Sequence, residues 1–182
     1  LQDSIMMSMV GREATENTRY VITPETFTYQ VNLDMPEANC TIRTVTEYMQ
    51  AHPGQQFVLG ALAHRFFDSK LEAGQDASPL GDYWYLAYNS ALMVDSEGLV
   101  NCYHKSKLVP GTEIIPYGRY IPLIGKLITL FGGGWATMGT MDDVRNLETR
   151  QGDKVGAMIC YESVYGEYFR RTALYGDPFV AV

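Results

Sequence analysis

The chain has 182 residues, 46% hydrophobic and 12% aromatic, enough for one substantial core, and its 19% charged residues are too few for general disorder. A formal charge of -7 and a pI near 4.9 exclude a phosphate-backbone binder, because nucleic-acid affinity depends on clustered Lys and Arg. Cys40, Cys102 and Cys160 lie far apart with no Cys-x-x-Cys pair, which excludes a readable zinc site or disulfide framework.

Leu1, Ile5, Met6, Met9 and Val10 follow helical spacing, and Gly11 is expected to close that helix. Residues 19–22 read as a buried strand stopped by Pro24. That leaves Glu25 just past a strand end, where functional side chains are commonly displayed. After Pro36 the spacing of Ile42, Val45 and Met49 predicts a helix running to the stop signal His52-Pro53-Gly54, and residues 57–62 predict the next strand. Residues 68–82, rich in Gly, Asp, Ser and Pro, read as a loop. Residues 83–94 resume strand character, and the tight turn Asp95-Ser96-Glu97-Gly98 sends residues 99–103 back as a hairpin partner.

Pro110, Pro116, Pro122 and the triplet Gly132-Gly133-Gly134 make residues 106–143 a long loop within the domain, and such loops are usually functional. Its apolar part, Tyr117 to Trp135, reads either as core filler or as a flap apposed to a membrane, with the flap favoured, and residues 117–136 are expected to be mobile. A second hairpin is expected from residues 145–150 through Gln151-Gly152-Asp153 to residues 154–160. A helix over about 163–175 and a strand from Phe179 would complete a strand-helix-strand unit. Strands alternating with helices, together with two hairpins, give an α/β class with helices covering mixed sheets in one domain, 1–182. No run approaches the roughly 20 apolar residues of a spanning helix, and no basic start with an apolar run marks a signal peptide. The chain begins at Leu1 without Met and stops in the apolar Phe179-Val180-Ala181-Val182, so both ends read as cut from something longer.

Cys160 closes an apolar strand and opens a helix, so its sulfur should lie near backbone N–H groups. That arrangement is expected to lower a thiol pKa, to make Cys160 the most reactive of the three thiols and to offer an oxyanion site. Taken singly, each candidate has an ordinary reading as well: a buried core thiol for Cys160, a surface carboxylate for Glu25, solvated charges for Lys105 and Lys107. His104 would suggest a Cys-His dyad. It neighbours Lys105 on an extended segment, however, and the two side chains point to opposite faces, so at most one of them faces a site. His52 in a turn and His64 at a strand end have no matching ligands nearby, so no metal or other cofactor is expected.

The segments VITPETF at 21–27, YHKSKLVP at 103–110 and AMICYES at 157–163 stand in an order that resembles the nitrilase (carbon-nitrogen hydrolase) superfamily, whose members carry a Glu after one strand, a Lys after a second and a Cys after a third. Leu108-Val109-Pro110 followed by Glu113 and Ile115-Pro116 is similar to one branch, the bacterial apolipoprotein N-acyltransferases. Two positions depart from that branch: Thr23 precedes Pro24 where Trp is common, and Gly111-Thr112 precedes Glu113 where Phe-Gly is usual. The resemblance implies an α-β-β-α sandwich, here incomplete, with Glu25, Lys105 and Cys160 as catalytic triad and Glu113, Tyr161 and Glu162 in support. It selects Lys105 over Lys107, because Lys105 follows Tyr103-His104.

The same resemblance implies the chemistry. Glu25 would take the thiol proton, Lys105 and the Tyr161 N–H would face the developing oxyanion, and Glu113 would hold Lys105. A fatty acyl chain would pass from a phospholipid donor to Cys160 as a thioester, and then to the N-terminal amine of a diacylglyceryl-modified apolipoprotein. The implied place is the extracytoplasmic (periplasmic) side of the bacterial inner membrane, against the membrane surface. Two other readings stay open: a soluble amidase acting on a small amide or nitrile through the same three residues, and an inert domain fragment.

Overall fold

The structure, a computed structural model, describes residues 2–109, 138–142, 144–174 and 179–181. Most of the expected loop 106–143, including Glu113 and the apolar stretch 117–136, lies outside the described residues.

Helix α1 spans Gln2–Glu13, two residues past Gly11. Strand β1, Tyr20–Ile22, leads through a turn carrying Glu25 to β2, Thr28–Asn32, which sequence spacing did not predict. A 3-10 turn at Pro36–Ala38 precedes α2, Cys40–Ala51. Asn39 caps α2, its side chain accepting from the N–H groups of Thr41 at 3.0 Å and Ile42 at 3.2 Å, which satisfies two of the helix's orphan donors. The face of Ile42, Val45 and Met49 is buried as the periodicity requires.

Strand β3, Gln56–Phe67, runs five residues further than expected. It pairs antiparallel with β5, Tyr83–Asp95, from Phe57↔Val94 to Phe67↔Trp84. Residues 68–82 are not simply a loop: they hold a short helix α3, Lys70–Ala73, and a strand β4, Ser78–Leu80, that pairs with β5. The extended β3-β5 ladder creates the edge that β4 joins, and Pro79, read from sequence as a breaker, is tolerated in an edge strand. Strand β6, Gly98–His104, closes the first sheet.

In that sheet β1 and β2 both run parallel to β3, beside successive parts of it, while β5 lies antiparallel to β3, β4 and β6. The second sheet comprises β7, Leu147–Glu148, then β8, Lys154–Met158, then β9, Phe179–Ala181. β7 pairs antiparallel and β9 parallel with β8. A 3-10 turn at Cys160–Val164 and helix α4, Gly166–Leu174, lie in the crossover between β8 and β9, and the helix starts three residues later than the one expected over 163–175.

The two-residue strand period decides which layer each side chain joins. Phe57, Leu59, Ala61 and Ala63 of β3, with Leu92 and Val94 of β5, pack under α1 and α2. The alternate residues Val58, Ala91 and Met93, with Tyr103 of β6, pack against Leu147, Val155, Ala157 and Ile159 on the second sheet's side. On the outer face of that sheet Thr172 of α4 lies so close to Gly156 that a Cβ there would run into its side chain. Helices, sheet, sheet and helix thus stack in the α-β-β-α order. One expectation is corrected: β1 is not buried, since Tyr20 and Val21 are half-buried and Ile22 is 46% exposed. The cause is topological. Among the described residues β1 pairs only with β3, and an apolar groove of ≈ 730 Å³, lined by Ile5, Met9 and Ile22 among others, lies between it and α1. Among the described residues no helix is long and apolar enough to cross a membrane.

Candidate active site

Three chain segments converge beside the β3-β5-β6 ladder. After β1 the backbone is clamped to β3: Thr23 N–H donates to the Val58 carbonyl at 3.0 Å, and Gly60 N–H donates to Thr23 Oγ1 at 3.0 Å. A Cβ at Gly60 would run into the Pro24 carbonyl and crowd the Glu25 Cα, so glycine is what lets the Glu25 turn lie down on β3. Lys105 leaves the end of β6, its N–H donating to the Asn89 carbonyl at 2.8 Å and extending the pairing with β5. Cys160 follows the extended Ile159 and opens a 3-10 turn with φ at 48°, in the left-handed region. For a residue with a Cβ this costs on the order of 1–3 kcal/mol, and such strain persists only where the surroundings enforce it.

The side chains meet. Lys105 Nζ lies 3.2 Å from Glu25 Oε1, with Lys105 fully buried and the Glu25 side chain 29% exposed. Asn89 Nδ2 donates to the same Oε1 at 2.6 Å, and the Cys160 thiol is hydrogen-bonded to Glu25. Lys107, two residues on, is exposed and lies over the Tyr168 ring at 5.9 Å. His104 faces away from Glu25 as the alternation requires: its Nδ1 shares a hydrogen bond with Ser90 Oγ at 2.7 Å, and the ring stacks on Tyr88 at 4.2 Å. Burial, with a smaller contribution from the charge of Arg65, pushes the His104 ring down to about 4.

Burial by itself would raise the Glu25 carboxyl, but the Asn89 hydrogen bond, the charge of Lys105 and hydrogen bonds to Cys160 and Lys105 hold it below its ordinary value. Glu25 is therefore charged at neutral pH. The thiol of Cys160 moves the opposite way from the sequence expectation. Lost hydration, then the hydrogen bond to Glu25 and its negative charge, push it up, outweighing Lys105 and the Tyr161 N–H. A turn N–H does favour a thiolate, but a carboxylate in contact disfavours it more. At rest the sulfur keeps its proton, with the Glu25 carboxylate in hydrogen-bond contact to accept it, and Cys160 and Cys40 are both exposed. The group set still suits nucleophilic attack, with a charged acceptor on the thiol and an ammonium alongside.

Of the supporting residues, Glu162 has a clear structural place. It is fully buried beside the nucleophile, where Oε1 accepts from Tyr103 Oη at 2.7 Å, Ser106 N–H at 2.7 Å, Ser106 Oγ at 2.8 Å and Lys107 N–H at 3.2 Å. Oε2 accepts from Ile159 N–H at 2.9 Å. One carboxylate thereby ties the loop after Lys105 to the strand end before Cys160. Tyr161 is half-buried, packs edge-on against Tyr165 at 5.3 Å and presents its N–H to the Cys160 sulfur. Sequence reasoning missed Asn89, Gly60 and Ser106. Two of them had a signal: Asn89-Ser90 is a polar pair inside the apolar run 83–94, and Gly60 interrupts an apolar strand.

The carbon-nitrogen hydrolase family model matches residues 4–181. An apolipoprotein N-acyltransferase from Chlorobaculum tepidum is 35% identical over 86 residues, 44% of this chain and 16% of that protein. Among solved structures, a carbon-nitrogen hydrolase from Helicobacter pylori G27 superposes with a TM-score of 0.57 at 16% identity, covering 98% of this chain and 51% of that one. An amidase of the nitrilase superfamily from Nesterenkonia sp. AN1, whose active site holds a cysteine, superposes with a TM-score of 0.52 at 13% identity, covering 98% and 57%. The chain thus spans about half the length of these solved structures. At such identities they establish the shared α-β-β-α fold, and the family match over nearly every residue places this chain in the carbon-nitrogen hydrolase family.

Proposed function

We propose that Glu25, Lys105 and Cys160 form the catalytic triad of a thiol-dependent N-acyltransferase. The observation that carries the acyl-transfer reading is the 35% identity over 86 residues to an apolipoprotein N-acyltransferase. The donor is a phospholipid. Glu25 takes the Cys160 proton as the sulfur attacks the ester carbonyl, and the oxyanion that forms is stabilised by the Lys105 ammonium and the Tyr161 N–H. Collapse breaks the ester bond, Glu25 returns the proton to the leaving alkoxide, and lysophospholipid departs from the Cys160 thioester. The α-amine of a diacylglyceryl-modified apolipoprotein then attacks the thioester and gives a proton to Glu25. The Cys160 thiolate leaves and recovers that proton.

In this reading Glu162 holds the lysine and cysteine loops in register, Glu113 supports Lys105, and the reaction takes place at the extracytoplasmic, periplasmic membrane surface. A second reading, hydrolysis of a small amide with water as second nucleophile, is favoured by the amidase among the structural relatives. Incubation with phospholipid, followed by intact-mass measurement, tests both. The Chlorobaculum relative runs in parallel and Cys160→Ala is the blank. A fatty-acyl adduct on Cys160, released by a lipopeptide amine, supports the acyltransferase. Turnover of small amides with no lipid adduct supports the amidase. Neither activity, with the relative active, counts against both readings and leaves the chain inert by itself.

A further inference from the structure

Strand alternation puts Asn89 in line with Met93 and Ala91, on the face that packs toward the second sheet. An apolar residue would fit that row. Instead an amide sits there at 4% exposure, and burying an amide costs free energy unless it is paired. Its pairing is specific. The backbone carbonyl accepts the Lys105 N–H at 2.8 Å, while Nδ2 donates to Glu25 Oε1 at 2.6 Å, the oxygen that Lys105 Nζ reaches at 3.2 Å. One residue of the middle strand thus binds two groups delivered by separate loops, Glu25 resting on β3 and Lys105 leaving β6.

We propose that Asn89 is a positioning residue for this site: its backbone holds Lys105 in register while its side chain holds the Glu25 carboxylate against the ammonium and the thiol. The inference rests on the triad reading above but not on the identity of the acyl donor. A neutral amide suits the task, because it donates to the carboxylate without competing with Lys105 for its charge and neither gains nor loses a proton near neutral pH. Among the described residues, the groups facing Glu25 are Asn89 from β5, Lys105 from the end of β6 and Cys160 from the turn after β8. The Asn89 hydrogen bond is the largest of the influences that hold Glu25 ionised.

The test is a carboxyl-carbon NMR titration of Glu25 in protein labelled at glutamate, assigned with Glu25→Gln, with folding followed by far-UV circular dichroism. Asn89→Ala removes the donor. Asn89→Asp keeps the shape, removes the donor and adds a like charge, and it carries the test if the alanine variant does not fold. The expected result is an upward shift of the Glu25 midpoint in both, larger for Asp. The acid limb of Cys160 acylation should shift upward with it. A Glu25 midpoint unmoved or lowered in the folded variants would overturn the proposal. Because the titration needs no substrate, an upward shift without any lipid adduct would retain Asn89 as a positioning residue while rejecting the acyltransferase reading.

Discussion

Glu162→Gln changes one atom and should loosen the link between the two loops that carry Lys105 and Cys160. The native carboxylate accepts from five donors, four on Oε1 and one, the Ile159 N–H, on Oε2. Glutamine has one carbonyl oxygen, and its best placement keeps that oxygen among the four donors and turns the amide NH2 toward the Ile159 N–H. A buried N–H then loses its acceptor, which costs about 1–3 kcal/mol, and the remaining bonds weaken as a charged acceptor becomes neutral. The expected loss is about 2–4 kcal/mol, and Glu162→Ala, which removes every acceptor, should cost more. Urea unfolding with an unchanged slope measures the loss. Amide exchange of Ser106, Lys107 and Ile159 locates it. A loss below about 1 kcal/mol with native protection at those three amides would refute the reasoning, because the five contacts would then carry little net free energy.

Lys105→Ala should reduce acyl transfer, or amide turnover if that is the activity, by about a hundredfold to a thousandfold, the usual loss for an oxyanion stabiliser. Lys107→Ala should be tolerated; equal sensitivity would mean that the exposed lysine, not the buried one, serves the site. The pH profile of iodoacetamide labelling at Cys160, read by peptide mass spectrometry, should have a midpoint above that of an ordinary thiol. Glu25→Gln should lower the midpoint by removing a negative neighbour and Lys105→Ala should raise it, so shifts of opposite sign would reject the electrostatic picture. Gly60→Ala should lift the Pro24-Glu25 turn off β3, costing about 1–3 kcal/mol as overpacking does and reducing turnover. A native melting temperature and native activity would show that the close approach there is dispensable.

What the sequence determined by itself is what short-range chemistry controls. The period of Ile42, Val45 and Met49 specifies the α2 face, and the Asp95–Gly98 turn specifies the β5-β6 hairpin. Gln151-Gly152-Asp153 specifies the β7-β8 turn, with Gly152 at φ 91°. The three motifs around Glu25, Lys105 and Cys160 name the candidate residues through their joint order, which resembles the carbon-nitrogen hydrolases, since each residue taken singly has an ordinary reading as well. Tertiary structure decided the rest. Whether Glu25 and Lys105, 80 positions apart, share a hydrogen bond depends on the sheet order that lays β3 and β6 on either side of β5. The direction of the Cys160 shift depends on which charge touches the sulfur, and the local N–H that sequence position supplies is outweighed by a carboxylate brought from another loop. Strand β4 exists because the β3-β5 ladder extends far enough to pair with it, although its own residues read as a loop. Asn89 and Gly60 stand out locally as a polar residue and a glycine in apolar strands, but that signal does not say what they do, because an amide's partner and a missing Cβ acquire meaning only when another chain segment packs against them.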